Sequence, residues 1–343
     1  MNIESEVKHA LNTLLLRQDL SEAQMETVVR ILMSGQATPA QAAAILIALR
    51  MKGESTDEIT AAARVMRDLS TGVEIRDRAH LIDTCGTGGD GANTFNISTA
   101  SAFVVAAAGA KVAKHGNRSV SSKSGSADVL EAAGVNLGIS PEQVAECVEE
   151  LGVGFMFAPS HHSAMKHIVG VRKEIGVRTI FNMLGPLTNP ANAPAQVLGV
   201  YDRKLLVPFA MVLKKLGSKR VMVVHAEDGL DEISISSLTY VAELKDGEIS
   251  EWTIDPYDYD MDHVSLDELS VESAQESLNI IKAVLANDEG AAKDIVCLNA
   301  GAAIYTAGLA DTFGEGVTRA RQVIAEGKAM NVLKDFIVKT NSF

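Results

Sequence analysis

From residue 73 onward, short apolar runs alternate with stretches of helical spacing, and no other feature restricts the fold of this chain so tightly. The runs are 80–83, 111–114, 154–158, 196–200 and 219–225. Between them helical patterns cover 98–109, 126–133, 140–151 and 203–216, and a long helical portion fills the C-terminal part. A strand followed by a helix long enough to cross back is joined by a parallel strand. The expectation is an α/β domain with a mainly parallel central sheet. Ligands in such sheets bind beyond the carboxyl ends of the strands. The loops of unusual composition begin there, at Thr84, His115, Pro159 and Ala226.

The preceding residues carry no strand pattern. Ile3, Val7, Leu11, Leu14 and Leu15 follow helical spacing. Ser21 with Gln24 and Ser55 with Glu58 have the form of capping boxes, and Thr38-Pro39 offers an N-cap before a proline at the first helical position. Gly35 and Gly53 supply stops. Four helices are expected, forming a small N-terminal all-helical domain over 1–72 beside a large α/β domain over 73–343. Part of 160–190 is expected to join the helical domain. A unit this small is only marginally able to bury its own apolar surface. Its alanine-rich faces (Ala40, Ala42, Ala43, Ala44, Ala48, then Ala61, Ala62, Ala63) allow close helix approach. A remaining stripe is expected to meet a second copy across a two-fold axis, giving a homodimer.

Composition excludes several partners. Of the 343 residues only 4% are aromatic, and the formal net charge is −13. A general binder of nucleic acid needs stacking rings or a basic surface, so that class is not expected. Any anion must be held by local amides, a few bases or metal ions. No apolar run is long enough to cross a bilayer. The N-terminal stretch is amphipathic with early acids, unlike a signal peptide. Cys85, Cys147 and Cys297 lie far apart with no CxxC spacing, as expected of structural thiols in a reducing cytoplasm.

Two loops carry the chemistry. The first reads DTCGTGGDG over 83–91 and leads into NIST at 96–99. Glycines let a backbone approach a ligand closely, and amides at a helix start favour phosphate. The spacing is neither GxxxxGK[ST] nor GxGxxG. Plain N-capping by Asn96 or Ser98 is the simpler use of those residues. The second loop, KHGNRSVSSKSGS from Lys114 to Ser126, adds cations and hydroxyls; a solvated basic loop is its plainer reading. Two such loops on neighbouring strands favour one shared anion site. His161, His162 and His167 lack cysteine or carboxylate companions at ligand spacing, so zinc is not expected. The acidic stretch 255–262 reads as a solvated loop.

GTGGDG, TFNIST, KHGNR followed by SGSADVLE, VRKEIGVRTIFNMLGPLTNPA and DGLDE, in this order, resemble the anthranilate phosphoribosyltransferase family along the whole chain. The resemblance implies a fold of the nucleoside phosphorylase type and a homodimer. It implies Mg2+, two ions per chain, and transfer of a phosphoribosyl group from 5-phosphoribosyl 1-diphosphate to the amine of anthranilate. It assigns the diphosphate substrate to Gly86, Gly89, Asp90, Thr94, Asn96, Ile97, Ser98 and Thr99 on the first loop. On the second it assigns Lys114, His115, Gly116, Asn117, Arg118, Ser119, Val120, Ser121, Ser122 and Ser126. Gly86, Asn117, His162 and Arg172 would line the anthranilate pocket, with Arg172 on the carboxylate. Ser98, Asp231 and Glu232 would be metal ligands. Asp90 makes sense as an acceptor for ribose hydroxyls or metal-bound water, and Lys114 as help for the leaving phosphate charge. A pyrimidine nucleoside phosphorylase would share the fold but resemble KHS-x-R where this chain has KHGNR. A non-catalytic nucleic-acid-binding relative would be expected to show a basic surface and eroded metal residues.

Overall fold

The computed structural model describes residues 3–119 and 123–343. Four helices come first: α1 (Ile3–Leu15), α2 (Glu22–Met33), α3 (Pro39–Lys52) and α4 (Thr56–Asp68). The hydroxyls of Ser21, Thr38 and Ser55 accept from the backbone N–H three residues on. Gln24, Gln41 and Glu58 accept in return from the N-cap N–H. Each box satisfies two of the amides that a helix start leaves without partners.

The α/β domain begins with β1 (Leu81–Gly86), α5 (Ile97–Ala107), β2 (Lys111–Gly116), α6 (Ser126–Ala132), α7 (Pro141–Leu151) and β3 (Val153–Phe157). Next come α8 (Ala158–His161), α9 (Lys166–Ile175), α10 (Phe181–Leu184), β4 (Ala195–Gly199), α11 (Leu206–Lys215) and β5 (Arg220–Ala226). A hairpin of β6 (Thr239–Lys245) and β7 (Glu248–Ile254) precedes α12 (Ala274–Leu285), α13 (Ala291–Thr306), α14 (Phe313–Ala325) and α15 (Lys328–Asn341).

The sheet order is β3-β2-β1-β4-β5-β6-β7. The first five strands pair in parallel, as the alternation demands. The antiparallel hairpin lies outside that expectation. Its signal in the sequence is Asp246-Gly247, a two-residue turn with both φ positive, 52° and 81°. β7 is an edge strand with little buried side chain, so its apolar pattern is faint. Strand order reverses between β1 and β4, which makes their carboxyl ends the switch point where open α/β sheets bind ligands.

One face of the sheet is covered by α5 with α13, α14 and α15, burying Phe103, Ile295, Leu298 and Phe336. On the other face α11 packs on β5 and also on α4. Leu46, Leu49 and Ile59 of the helical bundle therefore share one apolar cluster with Leu198, Phe209 and Val223. Ile168 and Val171 of α9, with Phe181 and Leu184 of α10, belong to the same cluster, and α9 packs on α2 and α3. Among the described residues no helix is long and apolar enough to cross a membrane.

Buried charge fixes one corner of the bundle. Glu58, with a side chain 0% exposed, accepts from Lys52 Nζ at 2.7 Å, Leu20 N at 2.9 Å and Ser55 N at 2.8 Å. Replacing Glu58 by Ala leaves the N–H groups of Leu20 and Ser55 without their acceptor. It also takes from the Lys52 ammonium its buried counter-charge, leaving it Asp19 and the Gly53 carbonyl. A Glu58→Ala variant should lose about 3–5 kcal/mol in urea unfolding, whereas a loss under about 1 kcal/mol would mean water replaces the carboxylate.

Candidate active site

Gly86 ends β1 directly opposite Gly199 at the end of β4. The loop after β5 folds back over both. A Cβ on Gly86 would stand 2.5 Å from Asp231 Oδ2, and one on Gly199 would stand 1.5 Å from the Asp231 carbonyl oxygen. The two missing side chains are the space that Asp231 fills. Its carboxylate accepts from Gly88 N at 2.6 Å, which draws the glycine loop onto it. The Asp231 loop is tied from below. Asn299 of α13 donates to the Ile233 carbonyl and accepts from the Ile233 N–H, both at 2.9 Å. Asp228 accepts from the hydroxyls of Ser234 and Ser236.

Three carboxyl groups meet here. The Asp90 side chain is hydrogen-bonded to that of Asp231, and Glu232 lies beside Ser98. Burial, then the charge of Asp90, pushes Asp231 up to about 7. Burial, then Asp231, pushes Glu232 up to about 8, although Lys114 and the Ser98 hydroxyl oppose the shift. Lys114 is buried; its ammonium donates to the Thr84 carbonyl and to Ser98 Oγ at 3.2 Å. One ammonium does not offset three carboxylates, so the place suits an added cation. Among the described residues no closed cage of three or more His, Cys, Asp or Glu ligands surrounds it. A magnesium ion fits such a half-built site, because it keeps waters and takes one or two carboxylates together with substrate oxygens.

The start of α5 faces the same place. Asn96 does not cap it, contrary to the simpler expectation. Its amide instead donates to the Ser124 carbonyl at 3.0 Å and accepts from the hydroxyls of Ser124 and Ser277. Asn96 thus joins the two loops and leaves the first amides of α5 without a side-chain cap. Ile97 is core, and the Thr99 hydroxyl is buried without a partner among the described residues. Thr94 forms a single bridge with Ser270 at the outer edge of the glycine loop.

Alternation along β2 sends Lys114 and His115 to opposite faces. The His115 ring meets the His162 ring at 5.1 Å. Burial, then the neighbouring histidines, pushes His115 down to about 3 and His162 down to about 4, so both rings are neutral. His161 bonds the Thr71 carbonyl. Gly116 lets Ser126 and Phe155 close in, since a Cβ there would lie 2.2 Å from Ser126 Oγ. Asn117 accepts from Ala127 N and Ser126 Oγ through its carbonyl. Arg118 forks onto Glu131 and Asp128 of α6, and Asp128 also accepts from Ser119 N. Val120, Ser121 and Ser122 lie outside the described residues.

The far wall is the segment from α9 to α10. Arg172 is half-buried over the Phe181 ring, and burial lowers its pKa. Among the described residues it makes no ion pair with a carboxylate. Arg178, which the motifs did not single out, stacks on Tyr201 with its Cζ 3.9 Å from the ring centroid and lies against Gly88 and Gly89. Gly199, Tyr201 and Asn299 were likewise not expected, because their roles depend on what the fold brings beside them.

Two family models match the chain: the helical bundle domain of a glycosyl transferase family over residues 8–70, and its a/b domain over 78–330. The anthranilate phosphoribosyltransferase of Hydrogenovibrio crunogenus is 70% identical over 338 residues, covering 98% of this chain and 99% of that protein. The crystal structure of the Thermus thermophilus enzyme of the same name superposes with a TM-score of 0.91 at 42% identity, covering 97% of this chain and 99% of that one. The Saccharomyces cerevisiae enzyme in complex with 5-phosphoribosyl 1-diphosphate and Mg gives a TM-score of 0.90 at 25% identity, covering 99% of each chain. The same yeast enzyme in complex with 4-fluoroanthranilate gives 0.89 at 25% identity and the same coverage. With identity this high across nearly its full length, the chain belongs to the anthranilate phosphoribosyltransferase family.

Proposed function

We propose that this chain transfers the phosphoribosyl group of 5-phosphoribosyl 1-diphosphate to the amine of anthranilate, giving N-(5-phosphoribosyl)anthranilate and diphosphate in tryptophan biosynthesis. The observation that carries this reading is the gathering of Asp90, Asp231 and Glu232 against Ser98 and Lys114 at the switch point. In the reaction a bond forms between the amine nitrogen and the anomeric carbon of the ribose. The bond from that carbon to the diphosphate oxygen breaks, and the new ammonium loses a proton to solvent. Magnesium, when bound, neutralises charge on the diphosphate.

The chain's own groups do the rest. Asp231, Glu232 and Ser98 hold the metal, two ions per chain. The glycine loop from Gly86 to Asp90 and the start of α5 offer amides to the phosphates. Asp90 accepts from ribose hydroxyls or metal-bound water. Lys114, seated beneath Ser98, adds positive charge near the leaving group and offsets Glu232. Arg172 forks onto the anthranilate carboxylate, whose ring fits between Asn117 and the neutral His162 side. Alignment of amine and anomeric carbon supplies much of the acceleration. Residues 1–72 with part of 160–190 act as one unit and the rest of 73–343 as the other, so that the two substrates meet where the units adjoin. A cytoplasmic place suits three free cysteines, two of them buried. Loss of anthranilate fluorescence on adding phosphoribosyl diphosphate and Mg2+ tests the activity. Phosphorolysis of a pyrimidine nucleoside in its place would overturn it.

The raised carboxyls make the metal measurable without turnover. Between about pH 4 and the folded values of about 7 and about 8, the folded protein holds more protons on Asp231 and Glu232 than the unfolded chain. Metal-free stability should therefore fall as pH rises through that window, and magnesium should replace the missing protons. The Tm gain on adding Mg2+ should be larger at about pH 8 than at about pH 6. It should vanish when Asp231 and Glu232 are both alanine. Equal gains at both pH values would remove these carboxyls from the metal site.

Arg172→Ala should raise KM for anthranilate roughly ten- to 150-fold, the loss of a charge-assisted pair worth about 1.5–3 kcal/mol. KM for the diphosphate substrate should change much less. The reverse pattern would exchange the two pockets.

Assembly follows from α3. Ala40, Ala44 and Met51 are exposed and Ile47 is half-buried, and at this spacing all four share one helix face. Leu15 and Leu16 at the end of α1 are 73% and 70% exposed. Ala61, Ala62 and Ala63 are wholly buried within the chain, which supports the stripe on α3 as the proposed surface for a second copy. Light scattering should give about twice 36.4 kDa. Met51→Glu should give monomers that keep substantial activity, and folded but inactive monomers would show that the sites need the dimer.

A further inference from the structure

Arg178 sits between α9 and α10 and reaches across to the glycine loop after β1. Its Nη2 lies 3.5 Å from the Gly88 carbonyl oxygen, and its Nη1 is so close to Gly89 that a Cβ there would stand 1.9 Å away. The guanidinium plane rests on Tyr201 at 3.9 Å, a cation held by a ring face. Tyr201 is itself fixed to the loop, because its N–H donates to Thr87 Oγ1 at 3.1 Å. Among the described residues Arg178 pairs with no carboxylate, in a chain with 44 acidic residues against 31 basic ones. A cation kept from so many acids and set against the barest part of an anion-suited loop calls for a reason.

Peptide geometry supplies one. Gly88 and Gly89 both have positive φ, 65° and 84°, and two consecutive glycines are free to turn. Asp231 holds the Gly88 N–H, and Arg178 stands at the Gly88 carbonyl. No peptide bond here is cis, so the Gly89 N–H points opposite to that carbonyl. With the carbonyl held on Arg178, the Gly89 amide faces away from it as a donor. We propose that Arg178 is a positioning residue that fixes the Gly88–Gly89 peptide so that the Gly89 N–H binds the phosphoribosyl diphosphate, an inference that rests on the function proposed above. Because Arg178 and Arg172 belong to one short segment, the same contact joins the wall of the anthranilate side to the loop of the phosphate side.

Three variants test it. Arg178→Ala should raise KM for phosphoribosyl diphosphate about tenfold or more while KM for anthranilate stays within about twofold. Arg178→Lys keeps the charge but loses the planar fork, and should behave like the alanine variant. Tyr201→Leu should move the same constant in the same direction. Hydrogen exchange without any substrate supplies a readout that a merely structural role would leave alone. In both arginine variants the peptide spanning 86–91 should exchange faster, with Tm unchanged. If Arg178→Lys retains the parental KM and the parental exchange, charge alone is at work and the positioning role is overturned. The same holds if Arg178→Ala changes neither quantity. If the parent protein fails to consume anthranilate, the function reading falls, and the exchange experiment still decides what Arg178 does to the loop. Should the alanine variant not fold, the lysine and Tyr201 variants carry the comparison.

Discussion

Asp231 lies across the ends of two strands only because Gly86 and Gly199 have no side chains, and the rest of the site depends on that fit. Any Cβ at Gly199 would overlap the Asp231 carbonyl at 1.5 Å, a backbone atom that has no rotamer to escape into. Close packing of this kind transmits position without slack. It sets the Asp231 carboxylate at the Gly88 amide, brings Asp90 against it, and carries Glu232 to Ser98 above Lys114. Asn299 secures the far side of the same loop through both polar groups of Ile233. The crowding of carboxyls is costly for the protein alone. It becomes tolerable with protons or with a cation, so a metal held here would have an affinity linked to pH through the same atoms.

The two faces of β2 separate two kinds of chemistry. Lys114 turns toward α5, where a buried ammonium, a hydroxyl and carboxylates make a polar pocket for charged oxygen. His115 turns the other way, where it meets His162 in surroundings dry enough to keep both rings neutral. Neutral rings and a half-buried arginine suit a flat aromatic acid better than a phosphate. Strand alternation thus sorts neighbouring residues of one motif onto unlike environments.

The helical bundle reaches the candidate site through packing. Ile168, Val171, Phe181 and Leu184 anchor the α9–α10 segment in the cluster that also holds Leu46, Leu49 and Ile59. Arg172 and Arg178 are therefore presented from a wall whose footing lies in the bundle, while the carboxylates stand on the sheet. The turn between α9 and α10, whose Ile180 is anchored in that cluster, has a second foothold on Tyr201 and the glycine loop.

Local patterns in the sequence determined the elements with short-range causes. The capping boxes at Ser21 and Ser55, the N-cap at Thr38 and the parallel alternation of β1 to β5 involve residues a few positions apart, so spacing alone reveals them. The family motifs marked both loops and the Asp231-Glu232 pair for the same reason. The hairpin of β6 and β7 was also written locally, at Asp246-Gly247, but its edge strand buries too little to show an apolar period. What only the tertiary structure decided are contacts between distant segments. Asn96 bonds Ser124 and Ser277 in place of capping α5, and Arg118 is drawn to α6. Gly199 makes room for Asp231, and Arg178 reaches Gly88. Such pairings have no sequence period, because they are set by where folded strands end and not by the chemistry of neighbouring residues.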